Sequence, residues 1–294
     1  MGEFTPSLLA LQLVTGIALG AIYALLAVGL SLIFGMLTVV NFAHGAFFMV
    51  GAFLGVYFQT LTGSFLLSLL ITPLVVGGVG LLAERFLVRP LYGRGIDYPL
   101  LLTFGLSYVL IEAMRVLFGI EGMPSSTPAA LRGAVNLGFG HFPLYRLVLI
   151  GATAVVVLAL WLFIEKTRYG LIIRAGSRDP EIVRVLGIDV GRVWLLVFGI
   201  GTAIAGLSGV LAAPTRAVNP EMGITVLAES FVVTVVGGMG SLPGAVVAGL
   251  LVGVVFSMTS LLAPEFAELS IFVLMALVLL VRPQGLFGKA GLMG

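Results

Sequence analysis

The feature that most constrains this chain is a series of apolar runs, each about twenty residues long, that recurs along the sequence. A helix of about twenty apolar residues crosses a bilayer core of roughly 30 Å. The predicted spans cover approximately 8–34, 44–62, 64–84, 98–119, 144–164, 193–213, 226–242, 245–263 and 266–281. The pattern is typical of a polytopic membrane protein.

The composition indicates the same class of protein. Of 294 residues, 60% are hydrophobic and 10% are charged, and the mean hydropathy is +1.21. A soluble domain of this length has too small an interior to bury so much apolar surface. We therefore predict an all-α transmembrane bundle in one domain, 1–294, with about eight to nine spans and some broken or re-entrant segments. The chain has no cysteine, which excludes disulfides and cysteine-based metal sites, and no metal site is predicted.

One stretch is unusually polar for such a chain. It runs from Glu165 to Arg192 with the sequence EKTRYGLIIRAGSRDPEIVRVLGIDVGR. At its centre, Asp179 is a suitable N-cap because its carboxylate can accept the unpaired first-turn amides. Pro180 follows at the first helical position, and Glu181 suits the positive end of the helix dipole. Gly187 can adopt the left-handed conformation that ends a helix, so a short, bounded helix is predicted.

This predicted helix has an apolar surface, formed by Ile182, Val183, Val185 and Leu186. A capped, partly apolar helix on a basic loop is typical of an element that docks into a partner. The simpler alternative is a loop that only tethers two spans. We favour docking because the residues at both ends of the helix are so specific.

The basic residues are divided unevenly between the loops. The segment 85–94, the segment 165–192 and the tail from Arg282 contain eleven of them, and the predicted spans place all three on one side. Arg132, Arg146 and Arg216 fall on the other side. The positive-inside rule therefore predicts a cytoplasmic docking loop and an external N-terminus. The first residues lack a positively charged region, so no cleaved signal peptide is expected.

The loop 120–143, rich in Gly, Pro and Ser, is the longest on the outward side and is long enough to receive a partner there. Nucleic acid is not a predicted partner, because the basic residues are spread over membrane-side loops.

The first predicted interruption of the spans is Asn41-Phe42-Ala43-His44-Gly45, with a new helix beginning near Ala43. Broken backbone is tolerated at membrane depth only where it is buried in protein or lines a wet cavity. His44 could ligate, shuttle a proton or bind substrate. It could instead hydrogen-bond a neighbouring carbonyl and fix the packing. We favour this structural role, because a single histidine is weak evidence for a functional site.

The second predicted interruption is GGMGSLPG at 237–244, which is too rich in Gly and Pro for regular helix. Each interruption leads into a helix that opens with small residues. Paired interruptions in the two halves of a transporter indicate a pathway between them. The predicted pathway residues are Asn41, His44, Gly45, Gly237, Gly238 and Gly240.

A few charged residues lie in or beside the spans. Glu112 and Arg115 are three residues apart and are predicted to pair on one helix face, with a substrate contact as the alternative. Glu84, Glu112 and Glu229 lie toward the ends of the predicted spans. That placement disfavours an ion-coupled secondary transporter or channel, which would use acidic groups in mid-membrane. The chain also lacks the phosphate-binding motif G-x-x-x-x-G-K-[ST], so any ATP that its work consumes is hydrolysed by another chain.

Together these motifs resemble one family. GAIYALLAVGLSLIFGMLTVVNFAHGAFFMVGAF, RYGLIIRAGSRDPEIVRVLGID and VVGGMGSLPGAVVAGLLVG, followed by LLVRPQGLFG, are similar to the LivH-type permeases of branched-chain amino acid ABC importers. The likeness covers nearly the whole chain, in order. It implies that 175–187 is the helix that couples the permease to an ATPase. The implied coupling residues are Ala175, Gly176, Ser177, Arg178, Asp179, Pro180, Glu181, Arg184 and Gly187.

The resemblance further implies a non-enzymatic subunit of the bacterial cytoplasmic (inner) membrane, with no catalytic residue and no cofactor of its own. The implied partners are two ATP-hydrolysing subunits, a LivM-like second permease, an extracytoplasmic solute-binding protein and membrane lipid. The implied solutes are leucine, isoleucine and valine, although similar systems take urea, short amides or aromatic acids. The alternatives from other classes are a secondary transporter or channel without an ATPase, and a membrane scaffold, for which the two interruptions would be pointless.

Overall fold

The computed structural model describes residues 5–37, 39–95 and 97–288, and these form a bundle of apolar helices. The α-helices within these ranges are α1 (Pro6–Leu37), α2 (His44–Thr62), α3 (Phe65–Ala83), α4 (Asp97–Phe118), α5 (Leu144–Lys166), α6 (Arg168–Gly176), α7 (Pro180–Val185), α8 (Val190–Ala212), α9 (Met222–Gly237), α10 (Leu242–Leu262) and α11 (Ala267–Val281). Eight helical segments in the described part are long and apolar enough to cross a membrane, and α9 is a shorter apolar helix. The predicted polytopic helical fold is confirmed.

Local sequence chemistry explains several helix boundaries. Gly63 ends α2 in the left-handed conformation, with φ of 68°, and the Ser64 hydroxyl then accepts the Leu67 amide as the N-cap of α3. The Ser241 hydroxyl caps α10 in the same way, with Pro243 in its first turn.

The predicted span 226–242 is wrong at both ends. The helix α9 begins four residues earlier, at Met222, and ends at Gly237. It stops there because Gly238 adopts a φ of 98°, which does not continue a right-handed helix.

The helices form an inner and an outer group. In α1 and α8, 83% and 72% of the most apolar window is buried by protein, whereas in α4, α5 and α11 the share is 22% or less. The outer helices therefore present large apolar side chains outward, as lipid-facing helices do. Among the inner helices, α8 and α9 each contact α1 and α2, and these four helices hold most of the buried core.

Glycines allow the inner helices to cross at very short distances. A Cβ atom added to Gly51 on α2 would lie 2.3 Å from the carbonyl oxygen of Gly206 on α8. A backbone atom cannot move aside as a flexible side chain can. Close approach through small residues is how helices associate in a membrane, where burial of apolar surface gives little driving force.

We expect Gly51→Ala to destabilise the bundle by about 1–3 kcal/mol, because α2 and α8 must separate to admit the methyl group. Gly151→Ala on α5 is the matched control, since nothing lies within 4 Å of a Cβ there and alanine favours helix. Unfolding in mixed detergent micelles gives both free energies. Equal stabilities of the two variants would contradict the role given to Gly51.

The outward loop 120–143 has structure that the sequence did not predict. It contains an antiparallel hairpin of β1 (Ala134–Asn136) and β2 (His141–Pro143), in which Val135 is opposite Phe142. The Met123 amide also donates to the Val218 carbonyl, at 2.9 Å. This bond attaches the loop to the segment 213–221 that leads from α8 to α9.

The three basic segments lie at one end of the bundle, which we call the basic end. Arg89, after α3, donates to the carbonyl of Gly191 at the start of α8. Met36 at the end of α1 contacts Gly176 of α6, and Leu286 of the tail donates to the carbonyl of Val236 at the end of α9. Lys289, which also belongs to the predicted basic tail, lies outside the described residues.

Candidate coupling and pathway site

The predicted docking helix is present as α7, and its two ends have the predicted geometry. The Asp179 carboxylate accepts the amides of Glu181 and Ile182, each at 3.0 Å. Gly187 adopts a φ of 80°. The Gly187 amide then donates to the Arg184 carbonyl, at 2.9 Å, and the Ile188 amide to the Val183 carbonyl, at 3.3 Å. These two bonds form a Schellman motif, which closes the helix.

One face of α7 carries apolar side chains that the described protein leaves uncovered. Val183 points inward and is 2% exposed, whereas Ile182, Val185 and Leu186 are 59%, 86% and 71% exposed. We call these three side chains the α7 apolar surface. They lie on a polar loop at the basic end. An apolar face in such a place is the form that helix-in-groove recognition takes.

A second short helix, α6, precedes the docking helix and was not predicted from the sequence. The Thr167 hydroxyl caps α6 by accepting the Gly170 amide, at 3.0 Å. The Ala175 carbonyl accepts the amides of Arg178 and Asp179, and thereby forms the turn between α6 and α7. The implied coupling residues Ala175 and Gly176 therefore end α6, while Ser177 and Arg178 form the turn. The threonine before an amphipathic run was the signal that could have identified this helix.

A charged and aromatic network holds α7 against the ends of α3 and α8. The Arg184 guanidinium lies 5.7 Å from the centre of the Trp194 ring, and the Trp194 ring meets the Tyr92 ring edge to face at 4.7 Å. The Tyr92 hydroxyl donates to the Glu84 carboxylate. Burial, with the neighbouring carboxylate, raises the pKa of Tyr92 above its ordinary value.

Glu84 is fully buried and is satisfied by Arg89. The guanidinium bonds both carboxylate oxygens, at 3.1 and 2.9 Å, and also the Gly191 carbonyl, at 2.7 Å. Such two-point contacts fix orientation. Movement of α7 would therefore reach α8 directly.

The first interruption is buried at the point where α1, α2 and α9 meet. The Asn41 side chain accepts the Ala43 amide and its carbonyl accepts the His44 amide, both at 3.1 Å, so a tight turn precedes α2. The ring nitrogen Nε2 of His44 hydrogen-bonds the Leu26 carbonyl on α1, at 3.1 Å. This is the hydrogen bond that the packing alternative predicted. A Cβ at Gly45 would lie 2.1 Å from the Gly223 carbonyl oxygen, so this glycine is where α2 crosses α9.

The second interruption lies at the basic end. Gly237 contacts Gly244 across the turn, and Gly238 and Gly240 both have positive φ angles, of 98° and 80°. Gly240 also packs against Gly35 of α1. The two interruptions are thus joined through the last turns of α1. Their six predicted residues lie in tight backbone contacts, and their part in a translocation pathway remains a prediction.

A polar network that was not predicted from the sequence joins the segment after α8 to α9 and α1. Arg216 follows α8, and its guanidinium donates to both carboxylate oxygens of Glu229 on α9, at 2.9 and 3.2 Å. It also donates to the Tyr23 hydroxyl on α1, at 3.2 Å, and lies over the Tyr23 ring. The side chains of Arg216 and Glu229 are 23% and 11% exposed.

The placement of Glu229 corrects the sequence analysis, which put this residue toward a span end. It lies in the middle of α9, because the helix starts and ends earlier than predicted. Glu229 is nevertheless not a free acid in mid-membrane, since Arg216 neutralises it. The pair therefore gives no support to an ion-coupled transporter.

The predicted pair of Glu112 and Arg115 on α4 is confirmed, and Arg115 also pairs with Glu221 just before α9. Both carboxylates are mostly exposed, so the energy of this cluster is small. Its effect is positional, because it connects α4 to the start of α9.

Arg216 separates two cavities at the end of the bundle opposite the basic end. One cavity, of about 330 Å³, lies between α1, α5 and α10 and also contains Arg146. The other, of about 610 Å³, lies under the outward loop and is lined by 121–125 and 214–219. Thr215 and Arg216 line both. These two residues therefore form a wall that the cavities share.

A bundle of apolar helices with interrupted spans and buried polar networks is the architecture of a multi-pass membrane permease. The family model "Branched-chain amino acid transport system / permease component" matches residues 12–282. The chain is 31% identical to the high-affinity branched-chain amino acid transport permease protein BraD of Pseudomonas aeruginosa, over 95% of each chain. It is 31% identical to LivH of Escherichia coli over the same shares, and 28% identical to LivM of that organism over 90% of this chain and 67% of LivM. The chain belongs to this family of permease components.

Proposed function

We propose that this chain forms part of the translocation pathway of an ATP-driven importer in a bacterial cytoplasmic membrane. Its solute is a branched-chain amino acid or a similar small amphipathic molecule. The observation that carries the proposal is α7, a helix fixed at both ends that presents Ile182, Val185 and Leu186 at the basic end of the bundle. The likeness to BraD and LivH, which are permease proteins of branched-chain amino acid transport systems, supports the solute class.

The proposed partners follow from what the chain offers and lacks. It has no phosphate-binding motif, so two partner subunits hydrolyse the ATP and the chain needs no cofactor of its own. The likeness to both LivH and LivM supports a second, related permease beside this one. An extracytoplasmic solute-binding protein would dock at the opposite end, where the loop 120–143 and the two cavities lie.

The contacts suggest how the coupling helix would act on the pathway. An ATPase that grips the α7 apolar surface would move Arg184 and Trp194, and with them the start of α8. Through Gly176 and Met36 the same movement would reach the end of α1, which leads into the interruption at Asn41 and His44. At its far end α8 continues into the segment 213–221 that holds Arg216. Rigid-body movement of α1 and α8 would then alternate access to a pathway near the two interruptions.

The test is to extract the tagged chain from its host in mild detergent, identify what accompanies it, and measure solute uptake in reconstituted vesicles. We expect an ATPase and a second permease in comparable amounts, with uptake that needs ATP and a binding protein. Recovery of the chain alone, with uptake that follows an ion gradient and ignores ATP, would overturn the proposal in favour of a secondary transporter.

A further inference from the structure

We propose that the groove between α1, α5 and α10 is a binding site for an anionic phospholipid of the outer leaflet. Its phosphate lies beside Arg146 and its acyl chains lie along α1. The site has two compartments in line, a polar one at the end opposite the basic end and an apolar one deeper in the bundle. The same three helices form both.

The polar compartment suits an anion. It is the cavity of about 330 Å³ that contains Arg146 and Arg216, together with the side chains of Gln12, Thr15, Ser257 and Ser260. Within the part of the chain that the structure describes, Arg146 has no carboxylate partner and only a long contact, 3.4 Å, to the Thr15 hydroxyl. Gln12 and Ser257 bond each other's backbone carbonyls. The charge that lacks a counter-ion in this compartment is therefore the positive charge of Arg146.

The apolar compartment suits acyl chains. It has a volume of about 580 Å³, and its lining is almost entirely aliphatic and aromatic. On α1 it follows one helix face: Ile17, Ala21, Ala24 and Val28. The eleven residue steps from Ile17 to Val28 rise about 16 Å, close to half of a bilayer core of roughly 30 Å. The lining also continues to Pro243, at the start of α10 near the basic end, so the acyl chains of an outer-leaflet lipid occupy its outward part.

A polar and an apolar compartment in line favour a lipid over the other possible occupants of the groove. An amino acid would leave its ammonium group without a carboxylate in the polar compartment, because Glu229 is already paired with Arg216. A helix of a second permease would cover the apolar compartment but would leave the charge of Arg146 unmatched. The phosphate of an anionic phospholipid satisfies Arg146, and the acyl chains of the same molecule cover the outward part of the apolar compartment.

The test uses the full chain, purified with its partner subunits and examined by native mass spectrometry with added phosphatidylglycerol or phosphatidylcholine of the same acyl chains. We expect phosphatidylglycerol to bind about ten-fold more tightly. We expect Arg146→Gln to remove most of this preference, and Ala154→Trp, at the exposed mouth of the apolar compartment, to weaken both lipids. Arg132→Gln and Ala159→Trp are matched controls outside the groove, and neither should change binding.

Equal affinities of the unmodified protein for the two lipids would overturn the proposal. So would Arg146→Gln and Ala154→Trp variants that bind lipid as their controls do. A crosslink from Ala154→Cys to a partner permease, in place of lipid, would assign the groove to that subunit. Because these measurements need neither ATP nor solute, their failure would leave the proposed transport function standing.

Discussion

Replacing Arg216 by methionine is expected to cost about 3 kcal/mol of unfolding free energy, because it leaves the Glu229 carboxylate buried without a counter-charge. Two of the three hydrogen bonds that the Arg216 guanidinium makes go to this carboxylate, and the third goes to Tyr23. Glu229 is 11% exposed and has no other ion-pair partner in the described residues. The unfolding equilibrium of the purified chain in mixed detergent micelles measures the loss.

Removing the charge of Glu229 is expected to lower the free energy of unfolding less than removing that of Arg216. In Glu229→Gln the charge left behind is Arg216, which is 23% exposed and lines both outward cavities. Water in those cavities can hydrate a guanidinium, whereas Glu229 has no such access. The double variant Arg216→Met with Glu229→Met should recover most of the stability, since apolar replacements of a buried pair are often neutral. A double variant as unstable as Arg216→Met alone would show that the loss comes from packing and not from the unpaired charge.

The contrast between α7 and the Arg216 network shows how far the sequence could predict this structure. Asp179, Pro180 and Gly187 act on amides and carbonyls within a few residues of themselves, so their effect could be derived from local chemistry. The structure has the cap, the first-turn proline and the left-handed glycine in those places. Most of the spans were predictable for the same kind of reason, because the bilayer sets the length of each apolar run.

Long-range pairing could not be derived in this way. Arg216 and Tyr23 are 193 positions apart, and their contact depends on how the segment 213–221 packs against α1. From the sequence, Arg216 was simply one of the outward basic residues and Glu229 one of three acids near span ends. The glycines of the two interruptions show a similar limit. Their presence marked the breaks, but the close contact of Gly45 with Gly223 depends on how α2 crosses α9.

The second large effect concerns coupling. Gly187→Val is expected to abolish ATP-dependent uptake while the membrane-spanning bundle stays folded. A β-branched residue is strongly disfavoured at a φ of 80°, so the Schellman motif that ends α7 would open. The Ile188 amide would lose the Val183 carbonyl, and the direction of the α7 apolar surface would change. Nothing lies within 4 Å of a Cβ at this position, so the variant introduces no clash with the bundle.

Gly187→Asn is the matched control, because asparagine tolerates the left-handed conformation and fills the same open space. We expect it to keep most of the uptake and the ATPase association that Gly187→Val loses. Thermal unfolding of both variants should match that of the unmodified chain. Since the two substitutions differ mainly in the backbone conformation they allow, a difference between them would trace coupling to the end of α7. Unchanged uptake and solute-stimulated ATP hydrolysis in Gly187→Val would instead show that α7 only tethers α6 to α8.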